Sequence, residues 1–541
     1  MAVLNLKSFG GIAPIVPPRY LEETQAQTAL NCPVFQGSIQ SLSDLGSSVA
    51  TLDKSGTIQS IYRFGQDTLS DSQHWFHWTT DVDVARSQIA GDTSEWTFFT
   101  GDGIPKATYA AIGTSGGTMP TVSRPLGLPA PTTAVTATAN SFSNTNETKE
   151  TRVYAMTFVN KESGFEFESA PSPASNSVDV FTGQTVALTN FPAVPGGDYI
   201  VSHRRIYRAV AGVFLFVAEV TVATSSFTDN VAADSLGEEL PSLFYTPPPA
   251  GLKGLINLPN GILAGFNGRD VFFSDPYKPY AWPESYIQTL DFPVVGLGRM
   301  DTTLVVLTKG TPYFIQGTHP SNMAVVKSDL EQACVSKRSI VSLMGGVLYA
   351  APDGLMFLSG GGSRIVTENL FDFSQWQTLF APASIHAYQQ DNQYIGFYNN
   401  GSTSGGFIFD VRSGQFILHD IYANAGYHDL LADKLYVAVV DSGNKIKIFG
   451  DGSSKTYTWK SKKFTMPQIM GFSCAQLEAE AYPMTLKVYA DGALVHTQTV
   501  QNRDPFRLPS KVGRDWEMQI EGSNEVFALS VANSMSELAG V

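Results

Sequence analysis

Apolar segments of strand length recur every 41 to 46 residues through the second half of the chain. Each pairs two apolar runs around a Gly, Asp or Asn turn, as in Val347 to Leu358. The recurring anchor positions are Leu263, Leu304, Leu348, Tyr394 and Leu435. A four-stranded sheet of this length cannot bury both of its faces alone, so it must stack on neighbours around an axis. The pattern therefore predicts the blades of a β-propeller.

The period is interrupted twice, which predicts an all-β protein with a propeller-like body and two added β-sandwiches. Strict alternation of apolar and polar positions from Val153 to Val159, and again around Val186, is typical of a fibronectin type III or immunoglobulin-like sandwich. A second alternating region, with a hairpin turn signal at Asp491-Gly492, begins near residue 457. The predicted regions are an extended arm (1–45), a first blade with a linker (46–130), the inserted sandwich (131–245), the remaining blades (246–456) and a C-terminal sandwich (457–541).

The arm has a composition that opposes regular structure. The stretch from Ser8 to Tyr20 holds three prolines and two glycines, which prevent a helix and favour an extended backbone. Its candidate docking residues are Phe9, Ile12, Ile15, Val16 and Tyr20. Two interpretations stay open, because the arm could close its own propeller ring or could dock on a neighbouring subunit.

Composition and charge narrow the class further. The 541 residues include 48 glycines and 30 prolines, which fits many turns, and only 16% of them are charged, with a net charge of −14. No region is basic, which disfavours static binding to nucleic acid. Three distant cysteines give no disulfide framework and favour folding in a reducing cytoplasm. The N-terminus has no secretion signal, and no apolar run is long enough for a membrane helix.

Motifs that could carry chemistry are few. Gly113 to Gly117 fits the Gly-x-Ser-x-Gly pattern with Ser115 as the nucleophile, but that motif needs a strand before it and a helix after it. His74 and His77 stand three positions apart on a predicted strand and so face opposite sides, which disfavours a shared metal ion. The arginines at 204, 205 and 208 fit strand alternation with exposed heads. We therefore predict no enzyme activity, no cofactor and no metal.

Several phrases of the sequence resemble structural proteins of short-tailed bacteriophages, in particular the tail nozzle family. The phrases are Lys7 to Pro14, Pro18 to Leu21, Thr24 to Val34, Gly37 to Leu42, Leu258 to Pro283, Ala351 to Leu355, Tyr482 to Gly492 and Arg514 to Gly522. The resemblance implies a homohexameric ring in the virion tail, made in the cytoplasm of the host bacterium and serving as a conduit for genome ejection. It also implies contacts with the tail adaptor, with fibres, spikes or a plug, and passage of double-stranded DNA without sequence-specific contacts.

An acidic lumen is expected for such a conduit, because carboxylates repel DNA phosphates and reduce friction. Charge density in the first blade favours five lumen carboxylates, although the inserted sandwich is an equally acidic alternative. These candidates are Asp81, Asp83, Asp92, Glu95 and Asp102. The alternative functions are a virion-associated propeller lectin or glycan hydrolase and a bacterial propeller scaffold without a viral role.

Overall fold

The structure is a computed structural model that describes residues 3–65 and 70–538, and most of its regular structure is β-strand. Within these residues three short α-helices occur, which are α1 Ala110–Gly113, α2 Phe373–Phe380 and α3 Met535–Leu538. Helix α2 begins after Asp372, whose Oδ1 accepts a hydrogen bond from the backbone N–H of Gln375 at 2.7 Å. This contact satisfies one of the free N–H groups at the start of the helix.

Residues 3–125 contain three strands that pair in sheets described below, and two small sheets of their own. The separate strands are β1 Val3–Leu6, β2 Ala26–Leu30 and β3 Ser48–Leu52. A two-stranded sheet follows, with β4 Ser60–Arg63 and β5 Trp75–Trp78. The next sheet has four strands, β6 Asp83–Arg86, β7 Thr97–Thr100, β8 Lys106–Thr108 and β9 Arg124–Pro125.

The inserted sandwich contains nine strands. They are β10 Thr136–Ala139, β11 Lys149–Arg152, β12 Tyr154–Asn160, β13 Phe167–Glu168, β14 Val178–Phe181, β15 Val186–Thr189, β16 His203–Val210, β17 Val213–Thr221 and β18 Phe227–Asp229. Sheets β10-β15-β18 and β11-β14 pack against sheet β13-β12-β16-β17. Their shared core includes Val180, Leu188, Met156 and Ile206, because alternate residues of each strand point inward.

The remaining propeller strands follow in blade order. They are β19 Lys253–Leu258, β20 Ile262–Asn267, β21 Asp270–Phe273, β22 Gln288–Thr289, β23 Val294–Met300, β24 Thr303–Thr308, β25 Tyr313–Gln316, β26 Ala324–Lys327, β27 Val341–Leu343, β28 Gly346–Ala351, β29 Gly354–Ser359, β30 Gly362–Ile365, β31 His386–Gln390, β32 Gln393–Asn399, β33 Ser404–Asp410, β34 Phe416–His419, β35 Ala425–Asp429, β36 Lys434–Val440 and β37 Asn444–Ile448. The five anchors of the sequence period lie on β20, β24, β28, β32 and β36, each the second strand of its blade.

Seven sheets of the described residues close into a ring, which defines a seven-bladed propeller. We number the blades 1 (β4-β5), 2 (β6–β9), 3 (β19–β22), 4 (β23–β26), 5 (β27–β30), 6 (β31–β34) and 7 (β35–β37 with β3). First strands of neighbouring blades pack on one another from blade 2 round to blade 7, and β35 packs on β4. An aromatic cluster that includes Phe76, Trp78 and Phe99 joins blades 1 and 2. Strand β3 pairs with β37, so a strand from near the N-terminus completes the last blade.

The C-terminal sandwich contains eight strands, β38 Tyr457–Ser461, β39 Phe464–Met470, β40 Cys474–Ala479, β41 Met484–Ala490, β42 Ala493–Val500, β43 Phe506–Arg507, β44 Gly513–Gly522 and β45 Val526–Ala532. One of its sheets has the order β2-β38-β44-β41-β42, and the other has the order β1-β45-β40-β43. Leu486 and Ile520 from the first meet Leu477 and Leu529 from the second in one buried cluster. The predicted fold class, a propeller-like body with an inserted and a C-terminal sandwich, is confirmed.

The N-terminal segment is packed within its own chain, which fits the first of the two interpretations left open for the arm, docking on its own propeller. Strand β2 pairs with β34 of blade 6 on one side and with β38 on the other, so it joins the propeller to the C-terminal sandwich. Phe9 meets the ring of Trp459 edge-on at 4.9 Å, and the indole Nε1 donates to the Gly10 carbonyl at 3.1 Å. A Cβ on Gly11 would collide with the backbone of Phe416, so the close approach requires glycine. The prolines prevent helix, but they do not prevent an extended segment from being buried between two bodies.

The predicted first blade is also two blades. Segments 58–64 and 74–78 form blade 1, whereas 83–86 and 96–99 lie in blade 2. Sequence alternation does not show where one small sheet ends and the next begins, because both consist of short apolar strands. Part of the predicted linker also pairs, since β9 completes blade 2 beside β8.

Candidate functional site

The two motifs with possible catalytic chemistry have ordinary structural settings. Ser115 follows the one-turn helix α1 rather than a strand, and its Oγ donates to the Ile112 carbonyl at 3.1 Å. His77 is buried in blade 1, where its ring nitrogens lie 3.0 Å from the Trp75 carbonyl oxygen and 2.8 Å from Asp53 Oδ1. No group of three or more metal-ligating side chains occurs within residues 3–65 and 70–538. In that part of the chain, no helix is long and apolar enough to cross a membrane.

Two of the five candidate lumen carboxylates lie at the axis of the propeller. Lys337 Nζ, from the turn before blade 5, contacts Asp83 at 2.6 Å and Asp81 at 3.0 Å beside blade 2. Asp83 also accepts a hydrogen bond from the Gly254 N–H of blade 3 at 2.9 Å. A contact between blades 2 and 5 of a seven-membered ring must cross its centre. Asp81 and Asp83 therefore face the propeller's own axis, where their pairing with Lys337 disfavours them as residues of a lumen between subunits.

The axial ion pair has coupled electrostatics. Burial raises the pKa of Asp83 above its usual range, and the negative charge of Asp81 adds to the shift while Lys337 opposes it. Burial alone would lower the pKa of Lys337, but attraction to Asp83 and Asp81 outweighs it and raises that pKa. Two carboxylates thus share one ammonium group. Next to it, Arg338 reaches the Asn424 carbonyl at 2.5 Å, which ties blade 5 to blade 7.

The other three lumen candidates lie in turns of blade 2 and are engaged locally. Asp92 accepts hydrogen bonds from the N–H groups of Ser94 at 3.0 Å and Trp96 at 2.9 Å. Glu95 lies 3.5 Å from Arg86, and Asp102 lies 2.8 Å from Lys106. Each retains some exposure, so these three stay candidates for an acidic surface.

The predicted assembly residues divide into a buried and an exposed group. Phe9 and Ile12 are buried in the chain's own core, so they cannot dock on a neighbouring subunit. Val16 is partly buried, whereas Ile15 and Tyr20 are 38% and 73% exposed. The Ile15 N–H donates to the Leu370 carbonyl at 2.9 Å, which fixes this part of the segment beside helix α2.

The inserted sandwich holds buried charges that the sequence interpretation assigned to the surface. Arg208 Nη1 contacts Asp229 Oδ2 at 2.7 Å, and the side chains of both residues are at most 1% exposed. The Tyr154 hydroxyl donates to the same oxygen at 2.7 Å. Arg204, also buried, donates to the Val222 carbonyl at 2.6 Å. The prediction of exposed arginine heads is wrong for these two, because opposite charges and carbonyl oxygens compensate their burial.

A groove of about 940 Å³ between blades 6 and 7 was missed by the sequence interpretation. Its walls come from the β31–β32, β33–β34 and β35–β36 turns and from segment 33–43 of the N-terminal region. Asp391 and Asp433, from two of these turns, and Asp410, the last residue of β33, lie around it with Arg412. Each of these turns is unremarkable in sequence, and only the stacking of the blades brings them together.

Comparison with known proteins finds no family model and no curated protein that matches the chain. The solved structures similar to it include BamB from Moraxella catarrhalis, with 10% identity, 58% of this chain and 94% of that chain covered, and a TM-score of 0.27. The N-terminal domain of Nup159 is another, with 10% identity, 60% and 86% coverage and a TM-score of 0.20. Because these TM-scores are below 0.5, no conclusion about this chain is drawn from the two structures. The ring of sheets itself defines the chain as a seven-bladed β-propeller protein with two added β-sandwiches.

Proposed function

We propose that this chain is a structural subunit of a short viral tail, assembled as a homohexameric ring that conducts double-stranded DNA. The supporting observation is where two of the phrases that resemble tail nozzle proteins fall in the fold. Lys7 to Pro14 lies in the joint between blade 6 and the C-terminal sandwich, with Phe9 against Trp459. Leu258 to Pro283 includes Tyr280 and Trp282, which pack where the inserted sandwich meets the propeller. These two phrases therefore lie at joints of the architecture.

The conduit in this proposal lies between subunits, not within one. The axis of the propeller is crossed by the contact of Lys337 with Asp83. A single subunit thus offers no axial passage for a duplex, whereas a ring of copies encloses one. The overall charge of −14 supports a wall that repels phosphates, and Asp92, Glu95 and Asp102 are the remaining candidates of blade 2.

The proposal also names neighbours for the ring. Its upper face would contact the tail adaptor, and fibres, spikes or a plug would attach to its outer or lower surface. Ile15, Val16 and Tyr20 remain the candidate assembly residues of the N-terminal segment, since their side chains keep exposed surface.

An image of virions that carry a marker in this chain tests the proposal. Gly212 lies in the β16–β17 turn, where an added Cβ would meet no atom within 4 Å, so a short tag inserted there should not disturb folding. We expect six tags around the tail axis and an acidic inner wall. Three or twelve copies, a location outside the tail or a basic inner wall would contradict the proposal.

A further inference from the structure

The groove between blades 6 and 7, which we call the interblade groove, has a volume in the range of small-molecule sites. The Asp391-Asn392 turn forms one wall, and both residues have positive φ, 51° and 58°, as a tight two-residue hairpin requires. Gln36, from the N-terminal segment, also lines the groove. The groove is therefore built from three interstrand connections of blades 6 and 7 and from the irregular segment 33–43.

Its carboxylates are held in place before any ligand arrives. Asp410 Oδ1 accepts a hydrogen bond from the Arg412 N–H at 2.9 Å. His428 Nε2 lies 2.7 Å from Asp433 Oδ1, and Gln389 Nε2 lies 3.3 Å from His428 Nδ1. If Gln389 donates to Nδ1, the proton resides on Nε2 and is donated to Asp433. Prior fixation of this kind reduces the entropy lost on binding.

The charges around the groove restrict the ligand. Three carboxylates, Asp391, Asp410 and Asp433, face a single cation, Arg412, among the residues that line it. Burial, followed by the negative charge of Asp433, raises the pKa of Asp391. A phosphate or sulfate group would be repelled by this arrangement. The lining is also too polar for an acyl chain.

The polar and apolar residues that line the groove suit a ligand with hydroxyl groups next to an apolar face. The amides of Gln36 and Gln393 and the guanidinium of Arg412 can donate, and the carboxylates can accept. Phe35 and Ile395 add apolar surface to the lining. Sugars present such a combination, with hydroxyls around the rim of a ring and C–H groups on its faces. We propose that the interblade groove binds a neutral oligosaccharide.

The same geometry argues for binding without hydrolysis. Glycosidases need one carboxyl group as the acid and a second as the base or nucleophile. In the groove, Asp433 Oδ1 is already engaged by His428 Nε2 at 2.7 Å. Asp410 Oδ1 is engaged by the Arg412 N–H at 2.9 Å, so two of the three carboxylates are committed to contacts within the chain. The inference does not depend on the proposed tail function, because a saccharide-binding site can occur equally in a tail protein and in a scaffold protein.

Saturation-transfer NMR of the full chain with maltotriose, cellotriose, chitotriose and mannotriose tests the proposal, with a heparin disaccharide as the anionic probe. We expect at least one neutral trisaccharide to bind and to remain intact. Arg412→Met and Gln393→Ala should each weaken it about tenfold, the effect of losing a hydrogen bond to a charged or buried group. Arg299→Met is the matched control, because Arg299 is exposed on blade 4 outside the groove.

Four outcomes would overturn the proposal. The first is that no neutral trisaccharide shows saturation transfer. The second is that a trisaccharide binds equally well to the original chain and to both groove variants. Stronger binding of the heparin disaccharide would refute the neutral ligand class. Cleavage of a trisaccharide that the groove variants abolish would refute binding without hydrolysis.

Discussion

The N-terminal segment, residues 3–52, and the inserted sandwich, residues 136–229, are attached to the propeller in opposite ways. The segment contributes one strand to each of three sheets, so it is shared by blade 7, blade 6 and the C-terminal sandwich. The insert keeps its hydrogen-bonded sheets to itself and meets the propeller through an aromatic cluster with Phe167, Trp96 and Tyr280. Glu162 of the insert adds a hydrogen bond from the Tyr109 hydroxyl at 3.2 Å and an ion pair with Arg124 at 3.6 Å. We therefore expect the N-terminal segment to matter more for folding than the insert, although its own sequence favours regular structure less.

Deleting residues 1–42 should have the largest effect, namely loss of the folded state. The deletion removes β1 and β2, which leaves the edges of β45, β34 and β38 unpaired and exposes Trp459. Unpaired edges and apolar surface favour aggregation. We expect insoluble protein or a dye-binding state without a cooperative thermal transition, measured by circular dichroism and ANS fluorescence.

Excision of the insert is the matched control for that deletion. Gly127 and Pro247 are already adjacent, since a Cβ on Gly127 would lie 3.0 Å from Pro247 Cβ. A short glycine-serine linker in place of residues 129–245 should therefore leave a folded, less stable propeller, with Trp96 and Tyr280 exposed. A soluble, cooperatively melting 1–42 deletion, or an excised chain that does not fold, would reverse the comparison.

Point substitutions should separate the two regions energetically. Asp229→Ala leaves the buried Arg208 guanidinium without its carboxylate, which costs about 3–5 kcal/mol in comparable sites. Phe9→Ala opens a cavity beside Trp459 at a cost of about 3–5 kcal/mol. Tyr20→Ala, at a residue that is 73% exposed, is the control and should change stability little.

Tryptophan fluorescence can distinguish the two losses because all seven tryptophans lie outside the insert, although one of them, Trp96, packs against Phe167 of the insert. Asp229→Ala should abolish hydrogen-exchange protection of β16 and β17 while the tryptophan fluorescence transition stays near its original midpoint. Phe9→Ala should shift the tryptophan transition and spare the insert. A common shift of both signals in both variants would mean that the insert and the propeller unfold together.

The sequence predicted the fold correctly where paired strands are neighbours along the chain. A blade consists of hairpins, so its strands and turns are neighbours in sequence, and the five anchors fall on equivalent second strands. The strands of the N-terminal segment have partners hundreds of residues away, as in the pairing of Ala29 with Trp459. Nothing in the five-residue pattern Ala26–Leu30 specifies that partner, and proline and glycine content indicated an extended backbone without indicating its burial.

The sites were predicted less well for a related reason. Asp83 was selected by charge density, but its position at the axis depends on how the blades close around Lys337. Asp391, Asp410 and Asp433 stand in or beside turns that are common between strands, and the ring brings them together. Arg208 follows a strand alternation that fits a surface side chain, and only the facing Asp229 shows that it is buried.

Acid should weaken the propeller body more than the insert, through two buried histidines of blade 6. His386 and His419 lie in one cross-strand row with Phe397 and Gly406, where the missing Cβ of Gly406 leaves room for the His419 ring. Burial lowers the pKa of each histidine to about 3. Within residues 136–229, the insert has no buried histidine.

The sign of the effect follows from where protons bind. The unfolded chain takes up a proton at each histidine near pH 6.5, whereas the folded chain resists protonation down to about pH 3. Stability is therefore complete above pH 6.5 and is lost as the pH falls from there towards 3. Each histidine should cost about 2 kcal/mol at pH 5, from 1.4 kcal/mol per pH unit. Urea unfolding followed by tryptophan fluorescence measures the slope, which His419→Phe should reduce and His74→Asn, at a partly exposed site, should not. An unchanged slope in His419→Phe would show that other groups dominate the acid response.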